Sequence, residues 1–122
     1  MNNLEIIQRL LDNTYEPASK DGTYSIKSSM HGRRLEINYT TIVHFASEKS
    51  LKPQLESARD QARQLIKGAV DRLKKSYKEE TEKSIKYMDK GERDNLELIQ
   101  STSNSPRKVA YYRYSQTLEF SD

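Results

Sequence analysis

His31 and His44 are the only imidazoles in the sequence, so metal binding or general-base chemistry near neutral pH would begin with them. His31 stands beside Gly32 in a turn signal, and His44 falls on the polar side of a predicted strand. Neither has a histidine or carboxylate at ligand spacing, and both read as solvated side chains. Acids are plentiful, but pairs such as Glu79 and Glu80 lie among lysines in a helical salt-bridge pattern. That pattern describes a solvated face better than an acid/base dyad. The glycines are scattered and build no phosphate-cradling loop. The serines have no orienting base nearby in sequence. Cysteine is absent, which removes disulfides, thiolate metal ligands and cysteine nucleophiles together. The expectation is a protein that is not an enzyme, with no catalytic residues, no metal and no cofactor.

One cluster has a different chemistry. Arg107, Lys108, Tyr111, Tyr112, Arg113 and Tyr114 interleave cations with aromatic rings. Such a stretch can neutralise phosphates while its rings stack on bases. The plainer reading is that tyrosines are ordinary strand residues, with the arginine stem packed across them. No recognisable RNA- or DNA-binding motif surrounds the cluster. A small nucleic-acid-binding accessory protein is therefore the alternative function, and these six residues are its candidate site.

The elements that would position these residues are legible from periodicity. Leu51, Leu55, Ala58, Ala62, Leu65, Ile66, Ala69, Val70, Leu73 and Tyr77 recur at steps of three and four. On a helix they form one apolar stripe between charged residues, so the stretch 50–77 predicts a long amphipathic helix packed on a sheet. We expect Leu65, Ala69 and Leu73 in the core and leave Leu51 and Tyr77 open. The start is placed between Ser50 and Pro53, where a first-turn proline costs little. Asp71/Lys75, Glu79/Lys83 and Glu82/Lys86 are spaced to extend it. Residues 79–93 then read as a charged helical extension or a mobile loop.

Upstream, Leu4, Ile7, Leu10 and Leu11 predict a short amphipathic helix over 3–12, followed by a loop over 14–22. Tyr24, Ile26, Ser28 and Met30 alternate with polar residues, as do Leu35, Ile37, Tyr39, Thr41, Val43 and Phe45. Two half-buried strands follow from that period. With His31-Gly32 as the turn, Met30 would face Arg33, Ser28 Leu35, Ile26 Ile37 and Tyr24 Tyr39. Residues 41–46 would then need another partner or an edge. A weaker strand is expected over 95–102, a turn at 103–106 and a long strand over 109–120. Aromatics occupy both faces of that last strand; we assign the side of Tyr112, Tyr114, Leu118 and Phe120 to the core.

The order α-β-β-α-β-β predicts a single α+β domain over 1–122. Its antiparallel sheet is built from two hairpins, with the long helix on one face. Hydrophobic residues are 34% and charged residues 32%, so the core is lean and completion of burial against a partner is expected. A net charge of +3 is too small to argue for a polyanion by itself. No apolar run approaches a membrane span of about 18 residues. No signal-peptide pattern opens the sequence, and we expect a soluble protein made inside the cell, without a membrane partner.

Three pieces in order carry a resemblance. The strand Leu35–Phe45 leads through Ala46-Ser47 into the helix with its series Ala58, Ala62, Leu65, Ala69, Leu73, and the chain closes on the strand from Arg113 to Phe120. This arrangement, over about 33–78 and 107–120, resembles the tail-terminator and tail-completion proteins of long-tailed bacteriophages, small α+β subunits of head–tail connector rings. The resemblance implies a non-enzymatic virion structural protein made in the host cytoplasm. It also implies a ring-forming homo-oligomer at the tail terminus or neck, meeting other virion proteins. It implies no functional residue, since such a family acts by shape and ring closure.

Overall fold

Alternation of apolar and polar residues gives the first two strands, and Gly32 lets the chain reverse between them. The computed structural model describes residues 3–12, 23–99 and 108–121. In order these form α1 (Asn3–Asp12), β1 (Tyr24–His31), β2 (Arg34–Phe45), α2 (Glu48–Thr81), β3 (Tyr87–Ile99) and β4 (Lys108–Phe120). The four strands make one antiparallel sheet in the order β1-β2-β4-β3, and α2 lies across β2 and β4. This is the α+β fold of two hairpins expected from the sequence. The second half of β2 pairs with β4, so residues 41–45 have their partner. The expected loop over 14–22, the turn at 103–106 and Arg107 lie outside the described residues.

The first hairpin is real, but its register differs from the expected one. Met30 faces Leu35, Ser28 faces Ile37, Ile26 faces Tyr39 and Tyr24 faces Thr41. The two turn residues are Gly32 and Arg33, and only Gly32 has positive φ (61°). A glycine at the first central position belongs to a type II′ turn, whereas the expected turn put it second. The slip is two residues, so every side chain keeps its face.

The long helix starts earlier than proline placement suggested. Ser47 is its N-cap: its Oγ accepts from Ser50 N–H at 3.3 Å, and Ser50 Oγ accepts from Ser47 N–H at 3.2 Å. That reciprocal pair satisfies two donors and sets the start at Glu48. Pro53 therefore sits in the second turn, on the exposed side of the helix. At the other end Glu82 closes α2 in the left-handed conformation (φ 61°). Glu79/Lys83 and Glu82/Lys86 thus fall across or beyond the helix end.

Residues 79–93 are neither a helical extension nor a loop throughout. After Thr81 the chain enters β3 at Tyr87, well before the strand expected over 95–102. Its first part is held by β4 through Tyr87↔Phe120, Met88↔Glu119 and Asp89↔Leu118. A bulge between Asp89 and Gly91 then shifts the register. Gly91, at φ 107°, supplies a conformation that side-chain-bearing residues rarely adopt.

The core lies between α2 and one sheet face. Ala58, Ala62, Ile66, Val70, Leu73 and Tyr77 form the buried line of the helix. They meet Leu35, Ile37, Tyr39, Val43 and Phe45 of β2, and Ala110, Tyr112, Tyr114, Leu118 and Phe120 of β4. The face assigned to the core in β4 is the buried one. Tyr77 joins the core, and Leu73 is in it as expected; Leu65 and Ala69 are only half-buried on its flank. The phase error is one residue, since Ile66 and Val70 take the central positions. Helix α1 packs on α2 and contributes fully buried Ile7. Asn3 Nδ2 ties α1 to the Ser121 carbonyl at 2.9 Å, and Tyr77 Oη donates to Asn3 Oδ1.

Candidate functional site

The pleat divides the basic-aromatic cluster. Tyr112 and Tyr114 point under α2 and are buried, while Tyr111 and Arg113 point to the opposite face, which no described helix covers, and are exposed. Lys108 is exposed where β4 begins, and it shares the helix side with its partner Phe45. Of the six candidate residues, the structure brings together only Tyr111 and Arg113 on an accessible surface. They border a shallow hollow of about 340 Å³ with Thr40, Asn95 and Glu97. Beside it Tyr111 is paired with Ile42, and both are about half exposed. Arg113 makes no side-chain hydrogen bond or ion pair among the described residues, leaving its five donors to solvent or a ligand.

The inward tyrosines serve another purpose. On β3, Asp94 and Glu92 share the helix side, where the first turns of a plain strand would carry apolar residues. Arg59 and Arg63, one helical turn apart on α2, reach them. Arg59 binds Asp94 Oδ2 through Nη2 at 2.8 Å and Nε at 3.1 Å. Tyr112 Oη donates to the same oxygen at 2.9 Å. Arg63 lies 3.5 Å from Glu92, and its Nε donates to Tyr114 Oη at 3.3 Å. Farther along, Lys74 Nζ stands 5.1 Å above the Tyr87 ring. This polar seam attaches an otherwise exposed strand to the helix. Sequence reasoning missed it because two arginines on α2 and two acids on β3 look like solvated charge.

The charges of the seam are paired with one another. Hydrogen bonding to Arg59 holds the Asp94 carboxyl below the usual range despite partial burial. Burial pushes the Tyr112 phenol up to about 12, so it stays protonated at neutral pH. Because Asp94's folded pKa is the lower one, its contribution is present above the unfolded value of about 3.9. It is lost as pH falls through the folded value. Asp94→Asn is thus expected to lose less stability than the wild type between pH 5 and pH 2, read by thermal melts. The side chains are 40% and 35% exposed, so the difference is screened and stays under about 1 kcal/mol. An equal acid response in both proteins would remove Asp94 from the account.

His31 and His44 are both exposed, at the turn end of β1 and near the end of β2. Among the described residues, no group of three His, Asp or Glu side chains lies close enough to hold a metal ion. Nor is any described helix long and apolar enough to cross a membrane. A hollow of about 770 Å³ lies between α1 and the end of α2, lined by Asn3, Tyr77, Thr81, Lys83, Lys86 and Ser121 among others. Its described lining offers hydroxyls and ammonium groups but no carboxylate or imidazole. Among the described residues, the accessible surface includes the sheet face opposite α2, where Tyr111 is 49% exposed. No known protein family, characterised protein or solved structure matches the chain.

Proposed function

We propose that the chain is a non-enzymatic structural subunit that works by assembling with copies of itself. By its resemblance to tail-terminator and tail-completion proteins, its place is a ring at a phage tail terminus or neck. It would be made in the host cytoplasm and built into the virion against other virion proteins. The observation that carries this reading is the sheet itself. Among the described residues, its outer strands, β1 and β3, each have one side with no strand beside it. Free strand edges are templates for another strand, and stable monomers ordinarily cover or break them. Ring subunits meet through two different surfaces related by a rotation that closes. An open sheet with two unlike edges offers such a pair.

Native mass spectrometry and negative-stain images of the purified protein test the reading. Closed oligomers of one size, or the chain found in purified virions, are the expected results. A strict monomer at high concentration that is absent from particles would overturn it.

The second reading keeps the nucleic-acid role, on the observation that Tyr111 and Arg113 share the uncovered face. Single-strand binding there would weaken steeply with salt as counterions are released. Fluorescence anisotropy with labelled oligonucleotides at low salt decides it. Binding lost in Arg113→Ala and Tyr111→Ala would support it, and a flat titration would end it.

A further inference from the structure

We infer that the unassembled chain pairs with a second copy of itself through β3, antiparallel and about a two-fold axis at Asn95. The inference goes beyond the ring reading and does not depend on it, because a contact that maps each copy onto the other closes at two. A ring that used the same edge would form in competition with it. Strand β3 is the most exposed of the four. From Met88 to Asn95 every residue is exposed, and only Tyr87, Leu96 and Ile99 are half-buried. Among the described residues no strand lies along its outer side, and such an edge is a template for another strand. The bulge ends at Gly91, so residues 91–99 run in regular register with β4.

The hydrogen-bond phase limits which residues can pair. Phe120 N–H binds the Arg33 carbonyl at 2.9 Å, and Ser121 N–H binds the Lys86 carbonyl at 3.2 Å. Bonding groups alternate along an antiparallel strand, so in β4 even residues bond towards β2 and odd residues towards β3. The β4 partners of Gly91, Arg93, Asn95, Glu97 and Ile99 are all odd. Those residues therefore direct their N–H and C=O groups to β4, and Glu92, Asp94, Leu96 and Leu98 turn theirs outward. A second β3 must meet even residues with even ones. A two-fold axis through any single residue satisfies that condition, and an axis between residues does not.

Length and charge choose the residue. Asn95 is the midpoint of 91–99, so an axis there engages the whole regular stretch. It sets Arg93 of each copy against Glu97 of the other, two opposite-charge pairs on the face away from α2. Between them Asn95 meets Asn95, and an amide, both donor and acceptor, can bond its own copy. On the helix side Glu92 meets Leu98 and Asp94 meets Leu96, while the acids keep Arg63 and Arg59 as partners. Leu96 and its copy become diagonal neighbours across the seam. An axis at Glu92, Arg93, Asp94 or Glu97 would face that charge with its own copy. One at Leu96 would set Arg93 against Ile99, and one at Leu98 would leave only a short end in contact. Only the axis at Asn95 pairs each cation with an acid directly across.

The chain has no cysteine, so a single substitution reports the axis. Asn95 and its copy would form a non-hydrogen-bonded pair, with Cα atoms about 4.5 Å apart, within disulfide range. Asn95→Cys, oxidised at high concentration, should give a covalent dimer and nothing larger. Arg93→Cys alone should give little, since residue 93 and its copy would stand roughly 13 Å apart along the strands. Separately, Arg93→Glu or Glu97→Arg creates two like-charge pairs at once. Each should weaken the dimer by about tenfold in sedimentation equilibrium, and the two together should restore it. Equal cross-linking at 93 and 95, or a wild-type dimer indifferent to these charges, would overturn the contact. Larger closed rings with no 95–95 link would overturn it too, while leaving the ring reading intact. So would a strict monomer with no link, and its absence from virions would end the ring reading as well.

Discussion

Ile66→Ala is expected to cost the fold about 2–5 kcal/mol, with a melting temperature lower by roughly 10 °C or more. Ile66 is completely buried at the middle of α2, where the helix crosses β2 and β4. Removing its outer carbons leaves a cavity that a rigid sheet cannot close. Leu73→Ala should behave alike, since Leu73 is 3% exposed. Leu65, half-buried one position away, should cost clearly less. Lys75→Ala and Glu79→Ala, on the exposed side, should change stability by tenths of a kcal/mol. Urea titrations of the five variants would check the order. An Ile66 variant as stable as Leu65→Ala would place the helix in the wrong phase. Total stabilities of domains are about 5–15 kcal/mol, so Ile66→Ala consumes a large share of the margin.

Helix α2 and the strands β1, β2 and β4 were legible because each has one dry and one wet face. Burial then prints its own period on the sequence, 3.6 for α2 and 2 for the strands. The one-residue phase error around Leu65 has a simple origin. Both Leu65 and Ile66 are aliphatic, and a stripe that wide does not reveal its centre. The hairpin slip has a different cause: Gly32 suits either central position of a two-residue turn, and a two-residue shift leaves the faces unchanged. The earlier helix start was hidden because Ser50 reads as the beginning of the helix, and its reciprocal pairing with Ser47 appears only in the folded chain.

The part of β3 before Asn95, ahead of the strand expected over 95–102, was illegible for a stronger reason. Its face towards the helix carries Glu92 and Asp94, and its other face carries Arg93, Asn95 and Glu97. A strand with polar residues on both sides prints no period. What fixes it is non-local, namely Arg59 and Arg63 from α2 and the hydroxyls of Tyr112 and Tyr114. The same limit applied to the basic-aromatic cluster. Its alternation already separated Tyr111 and Arg113 from Tyr112 and Tyr114, but only the structure shows which pair is covered.

Arg113→Pro should unfold the domain or cost it on the order of 3 kcal/mol, whereas Leu98→Pro should cost under about 1 kcal/mol. Both side chains are exposed, so neither change removes core packing. The difference lies in the backbone. Ser121 N–H bonds towards β3, and the same alternation turns Arg113 N–H towards the carbonyl of Asn95, its cross-strand partner. Proline has no hydrogen to offer there, and its ring carbon stands where β3 must approach. Strand β4 is internal, with neighbours on both sides, so the damage has nowhere to relax. Leu98 lies on the outer strand with its N–H turned outward, where proline removes no ladder bond. Thermal or urea melts of the two variants give the comparison. Equal losses, or the reverse order, would mean that the hydrogen-bond phase assigned to β3 and β4 is wrong by one residue.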